Sequence, residues 1–542
     1  MKISLAQINP TVGDLNYNYK LIIKHAKIAQ KTGAEILITP ELSICGYPPE
    51  DLLLNDEFIK SCKSFLNKIA KKFPTLKIIV GHPRSSKGML FNSASILYKG
   101  KIEATYDKQI LPNYGVFDEK RYFQSGKKSL TFSHKGIKFG LLICEDIWVK
   151  GPAEKLFDVD YIICINASPY EIEKSFTKHH RIIKRVPSNT TLIYLNLVGG
   201  QDDLLFNGGS FTWNRQNGGY HLPEFESVNK IIDTKSMMNI DLLIMEGHLD
   251  KKNTPEKKKS QTRALLDGLI LALKDYLSKN SIKNVFIGLS GGIDSAVVLY
   301  IASQACKKEN ITAVMMPSKF TSKASLEDAK ILTKKLSITY KVNDIKTLMK
   351  SFDKSLAKDF KGLKKDITEE NIQARIRGIL LMAYANKFNG MVLSTSNKSE
   401  VAVGYSTVYG DMVGGFSVLK DVPKTLVYKI ANEINYEQII IPKRIIERAP
   451  SAELAKNQKD QDNLPNYDIL DEIIDLYIER NQSPKTIIKK GFSVQTVKKV
   501  VKLINDNEFK RRQAAPGPKV TNKAFGKDRR YPITSKYKSI KL

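Results

Sequence analysis

Short apolar runs separated by polar, glycine-containing segments recur through the first half of the chain. Asn18 to Gln30 sets Leu21, Ile22, Ala26 and Ala29 at helical spacing, and Gly33 ends that helix. The opening residues, MKISLAQINPTVGD, read as a first strand and not as a signal peptide, because Asn9 and Pro10 cut the apolar run short. Further buried strands are expected at EILITPE (Glu35 to Glu41), KIIVG (Lys77 to Gly81), IKFGLLIC (Ile137 to Cys144), YIICINAS (Tyr161 to Ser168) and TLIYLNLVG (Thr191 to Gly199). Runs this short and this rich in Ile, Leu and Val, between helical stretches, predict an α/β layered domain.

The pattern breaks between Leu249 and Gln261, where charged residues follow one another with no apolar period. This predicts a first domain over 1–250, a charged linker over 251–261 and a second domain over 262–542. The second domain opens on an amphipathic helix with Leu265, Leu266, Leu269, Ile270, Leu273, Tyr276 and Leu277 on one face. A strand (Asn284 to Leu289), a glycine turn and a helix (Ser295 to Ala305) follow, again α/β. No internal repeat is evident. A length of 542 residues agrees with two or three domains.

Composition changes this picture little. The chain has 42% hydrophobic and 26% charged residues, as expected of a globular protein. No run approaches the ~18 apolar residues of a membrane span. The five cysteines are odd in number and form no CxxC pair, so neither a disulfide framework nor a zinc site is expected, and a reducing cytoplasm is the natural compartment. The net charge of +30 raises nucleic-acid binding as a hypothesis. The lysines are spread along the whole chain, however, which favours an incidental basic surface and small anionic substrates, with no nucleic-acid partner.

Candidate chemistry begins with the stretch Gly288, Leu289, Ser290, Gly291, Gly292, Ile293, Asp294, Ser295, set between a strand and a helix. Adjacent glycines let successive N–H groups and the helix N-terminus face a phosphate. Ser290 and Ser295 add hydroxyls, and Asp294 offers a carboxylate to Mg²⁺. The stretch lacks the GK[ST] ending of a Walker loop. It resembles the pyrophosphate-binding loop of the ATP pyrophosphatase group, which activates a carbonyl or carboxylate by adenylation.

The second candidate is Cys144, at the end of an apolar strand and followed at once by Glu145, Asp146 and Trp148. A cysteine at a strand end beside a sharp turn can present its sulfur to a substrate, whereas a lone cysteine is usually a core residue. Glu41, within TPELSICGYPPEDLL, and Lys108, within YDKQILPNYGVFDE, alter that balance. Glu41, Lys108 and Cys144, in that order and in those contexts, resemble the catalytic triad of the nitrilase superfamily. Glu41 would take the thiol proton and Lys108 would stabilise an oxyanion, so that an amide substrate yields a thioester on Cys144 and ammonia. Cys45 and Cys164 fit a buried structural role better.

A nitrilase-like half followed by an SGGxDS half resembles the glutamine-dependent NAD⁺ synthetases over nearly the whole chain. The resemblance includes EENIQARIRG (Glu369 to Gly378), STSNKSEVAVGY (Ser394 to Tyr405), YGDMVGGF (Tyr409 to Phe416), APSAEL (Ala449 to Leu454) and FKRRQAAPGPKV (Phe509 to Val520). It implies an N-terminal nitrilase-like α-β-β-α sandwich and a doubly wound, Rossmann-like parallel-sheet domain of the adenine nucleotide alpha hydrolase type. It implies a glutamine pocket with Tyr114, Ser168 and Lys174, and ATP contacts at Thr395, Lys424 and Ser451 besides the loop. Deamido-NAD⁺ would be held by Asn371, Glu400 and Lys510, with Mg²⁺ at Asp294 and Glu400. The substrates would be L-glutamine, ATP and deamido-NAD⁺, and the assembly a dimer or a multiple of dimers formed through the second domain. Bland readings exist: Asn371 as a helix cap, and Lys510 as a solvated lysine in a basic tail. Asparagine and GMP synthetases combine an SGGxDS domain with other glutaminase folds. A tRNA-modifying ATP pyrophosphatase would suit the charge but would leave Glu41, Lys108 and Cys144 unexplained.

Overall fold

The computed structural model describes residues 1–172, 181–215, 218–234, 259–455 and 458–535. The expected linker over 251–261 falls outside them as far as residue 258, as does Lys174. The chain divides into two compact units, Met1–Lys259 and Ser260–Leu542.

The first unit contains two six-stranded sheets. One runs in the spatial order Val228–Asp233, Lys2–Gln7, Ile36–Ile38, Lys77–Ser86, Met89–Tyr98 and Lys101–Asp107; the other runs Gly218–His221, Phe211–Asn214, Thr191–Asn196, Tyr161–Asn166, Ile137–Ile143 and Leu130–His134. Alternation along the strands of the first sheet decides which layer each side chain joins. Ile3, Leu5, Ile36, Ile38 and Ile79 point inward and meet Leu141, Ile143, Ile163 and Ile193 of the second sheet. Ala6, Leu37, Ile78 and Val80 point outward to the helices Leu15–Lys31 and Asp56–Lys72. This face-to-face packing of sheets with helices outside is the nitrilase-like sandwich.

In this unit the strands that the apolar runs did not predict are antiparallel ones, including Met89–Tyr98, Lys101–Asp107 and Leu130–His134. Their signal lies in the turns. Lys87-Gly88, Lys99-Gly100 and Lys135-Gly136 all have positive φ at both residues, as two-residue hairpins require. Two boundaries are corrected: the strand expected to run to Glu41 stops at Ile38, ahead of Pro40, which has no N–H for a ladder, and the run Thr191 to Gly199 divides at Leu197 into Thr191–Asn196 and Val198–Gln201, which pair in different sheets.

The second unit is built on a five-stranded sheet in the order Thr339–Val342, Ile311–Met315, Asn284–Gly288, Gly390–Ser394, Phe416–Ser417, every pair parallel. Numbered along the chain, the strand order is 3-2-1-4-5, the doubly wound pattern. The order reverses between Asn284–Gly288 and Gly390–Ser394, and the crevice beyond their C-terminal ends is where such sheets bind ligands. The amphipathic helix predicted from Leu265 onward spans Gln261–Lys279, and the helix after the glycine turn spans Ile293–Ala305.

Candidate active sites

In the first unit, Cys144 follows strand Ile137–Ile143 and opens a short turn, Cys144–Ile147. Its φ of +44° lies in the left-handed region, uncommon for a side chain with a Cβ, and the sharp turn it makes is the kind that presents a nucleophile. Glu41 and Lys108 are buried beside it and both act electrostatically on its thiol. Burial and the Glu41 charge push the thiol pKa well up, and Lys108 only partly opposes them, so Cys144 rests as a thiol.

The Lys108 ammonium donates to Glu41 Oε1 at 2.7 Å and to Glu119 Oε1 at 2.7 Å. Burial alone would lower its pKa, but the Glu119 and Glu41 charges outweigh burial and hold it well above the usual value. Asn92 Nδ2 donates to Glu41 Oε1 at 2.7 Å, and the Ala167 N–H to Glu41 Oε2 at 2.8 Å. Both carboxylate oxygens of Glu41 are thus held. Tyr47 hydroxyl donates to Glu119 at 3.0 Å. Burial raises Glu119 to about 7, with the Glu41 charge adding and Lys108 opposing.

Glu119, Asn92 and Tyr47 were not identified in the sequence. Glu119 ends the very stretch that singled out Lys108, and an acidic residue there was its only signal. Tyr114, although 57% exposed, donates to Glu145 Oε1 at 3.0 Å, next in sequence to Cys144. Ser168 follows Ala167, and its N–H is fixed by Asn196 Oδ1 at 2.8 Å. Cys45 and Cys164 are buried, and all five cysteines are free thiols.

In the second unit, the stretch Gly288–Ser295 together with Thr395, Glu400, Lys424 and Ser451 lines one cavity of about 260 Å³ at the switch point of the sheet. Gly291 has φ +80°, and a Cβ there would lie 2.7 Å from the Ser325 carbonyl oxygen, so the loop needs glycine for both reasons. Ser290 Oγ accepts the Gly292 N–H at 3.2 Å and lies 3.2 Å from Ser295 Oγ. Asp294 Oδ1 accepts from Asn397 at 2.9 Å, and Oδ2 accepts from Lys424 at 2.5 Å. Lys424 also reaches Glu400 at 3.4 Å. Burial and the Asp294 charge raise Glu400 to about 8, against the pull of Lys424. Asn397, Arg377, Arg448 and Asp460 were not anticipated; the last three line the cavity.

Asn371 and Lys510 do not line this cavity, yet both hold the same loop beside it. Thr407 hydroxyl donates to Asn371 Oδ1 at 2.8 Å, and Lys510 Nζ donates to the carbonyls of Gly404 and Ser406 at 2.7 and 2.8 Å. Asn371 is no helix cap; Asp366 caps Ile367–Lys387. Nor is Lys510 in a loose tail: it lies in the helix Glu508–Arg511. Arg511, buried, donates to the carbonyls of Ala402 and Ile504, and Arg512 pairs with Glu508 at 2.7 Å. Phe525 is buried as an anchor, whereas Phe509 is 43% exposed.

The donor set bears on Mg²⁺. Among the described residues no group of three or more His, Cys, Asp or Glu side chains is placed to hold a metal ion unaided. Mg²⁺ ordinarily uses one or two carboxylates and takes its other ligands from phosphates and water. Asp294 and Glu400, mutually repelling at the edge of the cavity, fit that mode.

A thiol site with a carboxylate and an ammonium, in a sandwich, in one chain with a glycine-loop cavity in a doubly wound sheet, fits a carbon-nitrogen hydrolase unit fused to a nucleotide-dependent synthase unit. Residues 2–216 match the carbon-nitrogen hydrolase family model, and residues 265–514 match that of NAD synthase. The glutamine-dependent NAD(+) synthetase of Acinetobacter baylyi is 42% identical over 98% of both chains. That of Thermotoga maritima is 41% identical over 99% of both. The solved structure of the Acinetobacter baumannii enzyme in complex with ADP is 39% identical, with a TM-score of 0.78 over 99% of each chain. The chain belongs to the glutamine-dependent NAD(+) synthetase family.

Proposed function

We propose that this chain is a carbon–nitrogen ligase that uses glutamine as amido donor and converts deamido-NAD⁺ to NAD⁺. The observation that supports this best is the presence, in one chain, of Glu41, Lys108 and Cys144 around one buried thiol and of Gly288–Ser295 around a second cavity.

In the first unit the Cys144 sulfur attacks the carboxamide carbon of glutamine while Glu41 takes the thiol proton. The Lys108 ammonium stabilises the oxyanion of the tetrahedral intermediate. Glu41 returns the proton to the leaving nitrogen, and ammonia departs from a thioester on Cys144. Glu41 then activates water, which releases glutamate and restores the thiol. Tyr114, Ser168 and Lys174 are proposed to hold the glutamine.

In the second unit the deamido-NAD⁺ carboxylate attacks the α-phosphorus of ATP and displaces pyrophosphate. Ammonia then displaces AMP from the acyl adenylate, giving the amide of NAD⁺. The N–H groups and hydroxyls of Gly288–Ser295 are proposed to hold the phosphates. Thr395, Lys424 and Ser451 complete the ATP contacts, and Asn371, Glu400 and Lys510 hold the dinucleotide. Mg²⁺, bound by Asp294 and Glu400, would neutralise charge on the pyrophosphate.

We assign the glutaminase to 1–250 and the synthetase to 262–542, joined by 251–261, and place the protein in the cytoplasm. Among the described residues no helix is long and apolar enough to cross a membrane. We further propose a dimer or a multiple of dimers through the second unit; Ile379 and Met382, one turn apart on the helix Ile367–Lys387, and Phe388 just after it are exposed apolar side chains there.

Mass analysis after mixing the protein with ATP, Mg²⁺, glutamine and deamido-NAD⁺ tests the reading. The expected products are NAD⁺, glutamate, AMP and pyrophosphate. ADP and phosphate in their place would reject adenylation, and unconsumed glutamine would reject the glutaminase.

A further inference from the structure

We propose that Asp146 is a positioning residue that holds the Cys144 turn in register with Lys108. The inference rests on the reading of Cys144 as nucleophile and goes one step beyond it, from the groups that react to the group that aligns them.

Asp146 is fully buried, at 0% exposure. Its Oδ2 accepts the Ile143 N–H at 3.1 Å and the Tyr106 hydroxyl at 2.8 Å. Its Oδ1 accepts the N–H groups of Gln109 at 3.1 Å and Ile110 at 2.8 Å. Ile143 immediately precedes the nucleophile, while Tyr106, Gln109 and Ile110 bracket Lys108 on both sides. One side chain therefore ties the end of a strand in the second sheet to the segment that delivers the ammonium from the first.

Capping the short turn Cys144–Ile147 would require only the bond to Ile143. The three bonds to the Lys108 segment are additional. They cross between the two sheets, where nothing in the local backbone demands them. Cys144 itself sits at φ +44°, a conformation that persists only when its surroundings hold it.

The site also specifies the chemical type of the residue. All four neighbours are donors, and Gln109 Nε2 donates to the Tyr106 oxygen at 3.2 Å, which directs the hydroxyl proton toward Asp146. An asparagine would turn an NH₂ group onto donors in either orientation, leaving buried N–H groups unpaired. Burial raises the Asp146 carboxyl to about 6, against the bond from Ile110, so it remains mostly ionised at neutral pH.

The test uses the full-length Asp146→Asn enzyme, with glutaminase kcat and KM, ammonia-dependent NAD⁺ synthesis and thermal unfolding measured on one preparation. Misplacing a reacting group by about 1 Å costs roughly 100-fold. Glutaminase kcat should fall by about that factor, with KM for glutamine within about threefold of wild type and ammonia-dependent synthesis preserved. Tyr106→Phe removes one of the four bonds and should lower kcat by about fivefold; it carries the test if Asp146→Asn does not fold. In either variant the rate of Cys144 alkylation by iodoacetamide should show a displaced pH profile, which a purely structural role would leave in place. A normal kcat with only a lowered Tm would make Asp146 a structural residue, and a raised KM with normal kcat would make it a glutamine contact. Either result overturns the inference. Cys144→Ala, run alongside, separates the two levels: if it still hydrolyses glutamine, the nucleophile assignment has failed and not the role of Asp146 alone.

Discussion

Lys108 and Lys424 are both buried lysines that face two carboxylates, and the contrast between them separates the two halves of the molecule. Lys108 is sealed with its partners: Glu41 and Glu119 side chains are 0% and 5% exposed. Lys424 is as deeply buried, at 2%, but Asp294 and Glu400 keep 17% and 18% of their side chains exposed, at the edge of a cavity. A sealed ion cluster pays its desolvation during folding and is preorganised for charge that appears only in a transition state. Carboxylates at a cavity edge keep room for a ligand that brings its own charges. The contrast agrees with the proposed substrates, a neutral amide in the first unit and a nucleotide with its cation in the second.

Cys144→Ala should break this comparison most completely. Glutamine-dependent synthesis should drop by roughly four orders of magnitude or more, since the proposed nucleophile is gone. Synthesis from high concentrations of ammonia should continue, because the cavity lies in the other unit. A parallel loss of both activities would show that the halves cannot be treated separately.

Asp294→Asn should act in the opposite sense. It keeps the shape but removes a negative charge facing Lys424 and the cavity, so pyrophosphate release should fall about 100-fold with either nitrogen source. Normal pyrophosphate release at ordinary Mg²⁺ would remove Asp294 from the proposed metal site.

A smaller effect is expected from the charge balance at Lys108. Glu119, raised to about 7 by burial, is ionised mainly above that pH. As the pH falls through 7 it gains a proton, and Lys108 is left paired with Glu41 alone, tying the proposed general base to the ammonium. Glutaminase kcat should therefore fall toward acid pH with a midpoint near 7, while ammonia-dependent synthesis does not follow it. Glu119→Gln imitates the protonated form and should give a kcat about tenfold lower with a flatter profile. An unchanged midpoint in that variant would assign the titration to another group.

Lys510→Ala should change binding and leave turnover at the first unit alone. Lys510 Nζ is bonded to the carbonyls of Gly404 and Ser406, so its loss loosens a loop as well as removing a cation. Hydrogen bonds to charged groups are worth about 1.5–3 kcal/mol, so affinity for deamido-NAD⁺ should weaken about ten- to a hundredfold, at the low end if the loop partly compensates. Titration of deamido-NAD⁺ at fixed ATP measures it, and superimposable curves would return Lys510 to a structural role.

Much of the architecture was legible where the physics is local. The buried strands of the first unit appeared as Ile- and Val-rich runs, the Gly288–Ser295 loop as glycines between strand and helix, and the opening helix of the second unit as an apolar face from Leu265 to Leu277, whereas the later strands of that unit's sheet were not anticipated. The hairpin strands were missed because their polar–apolar alternation is weak and their turns, Lys-Gly pairs, carry the information instead. The basic C-terminal segment could be read either way, because the same arginines serve a solvated tail or, as Arg511 does, buried carbonyls.

The sequence by itself determined which residue types stand at each strand end, and therefore which chemistries are available. Only the tertiary structure decided which of them meet. Lys108 and Glu41 are 67 positions apart, and Lys424 and Asp294 are 130 apart. No periodicity or propensity reports contacts at such separations; sheet order and register do. Glu119 and Asp146 were equally visible as letters, but their roles follow from burial, which turns an ordinary carboxylate into a group that must find donors or a counter-ion.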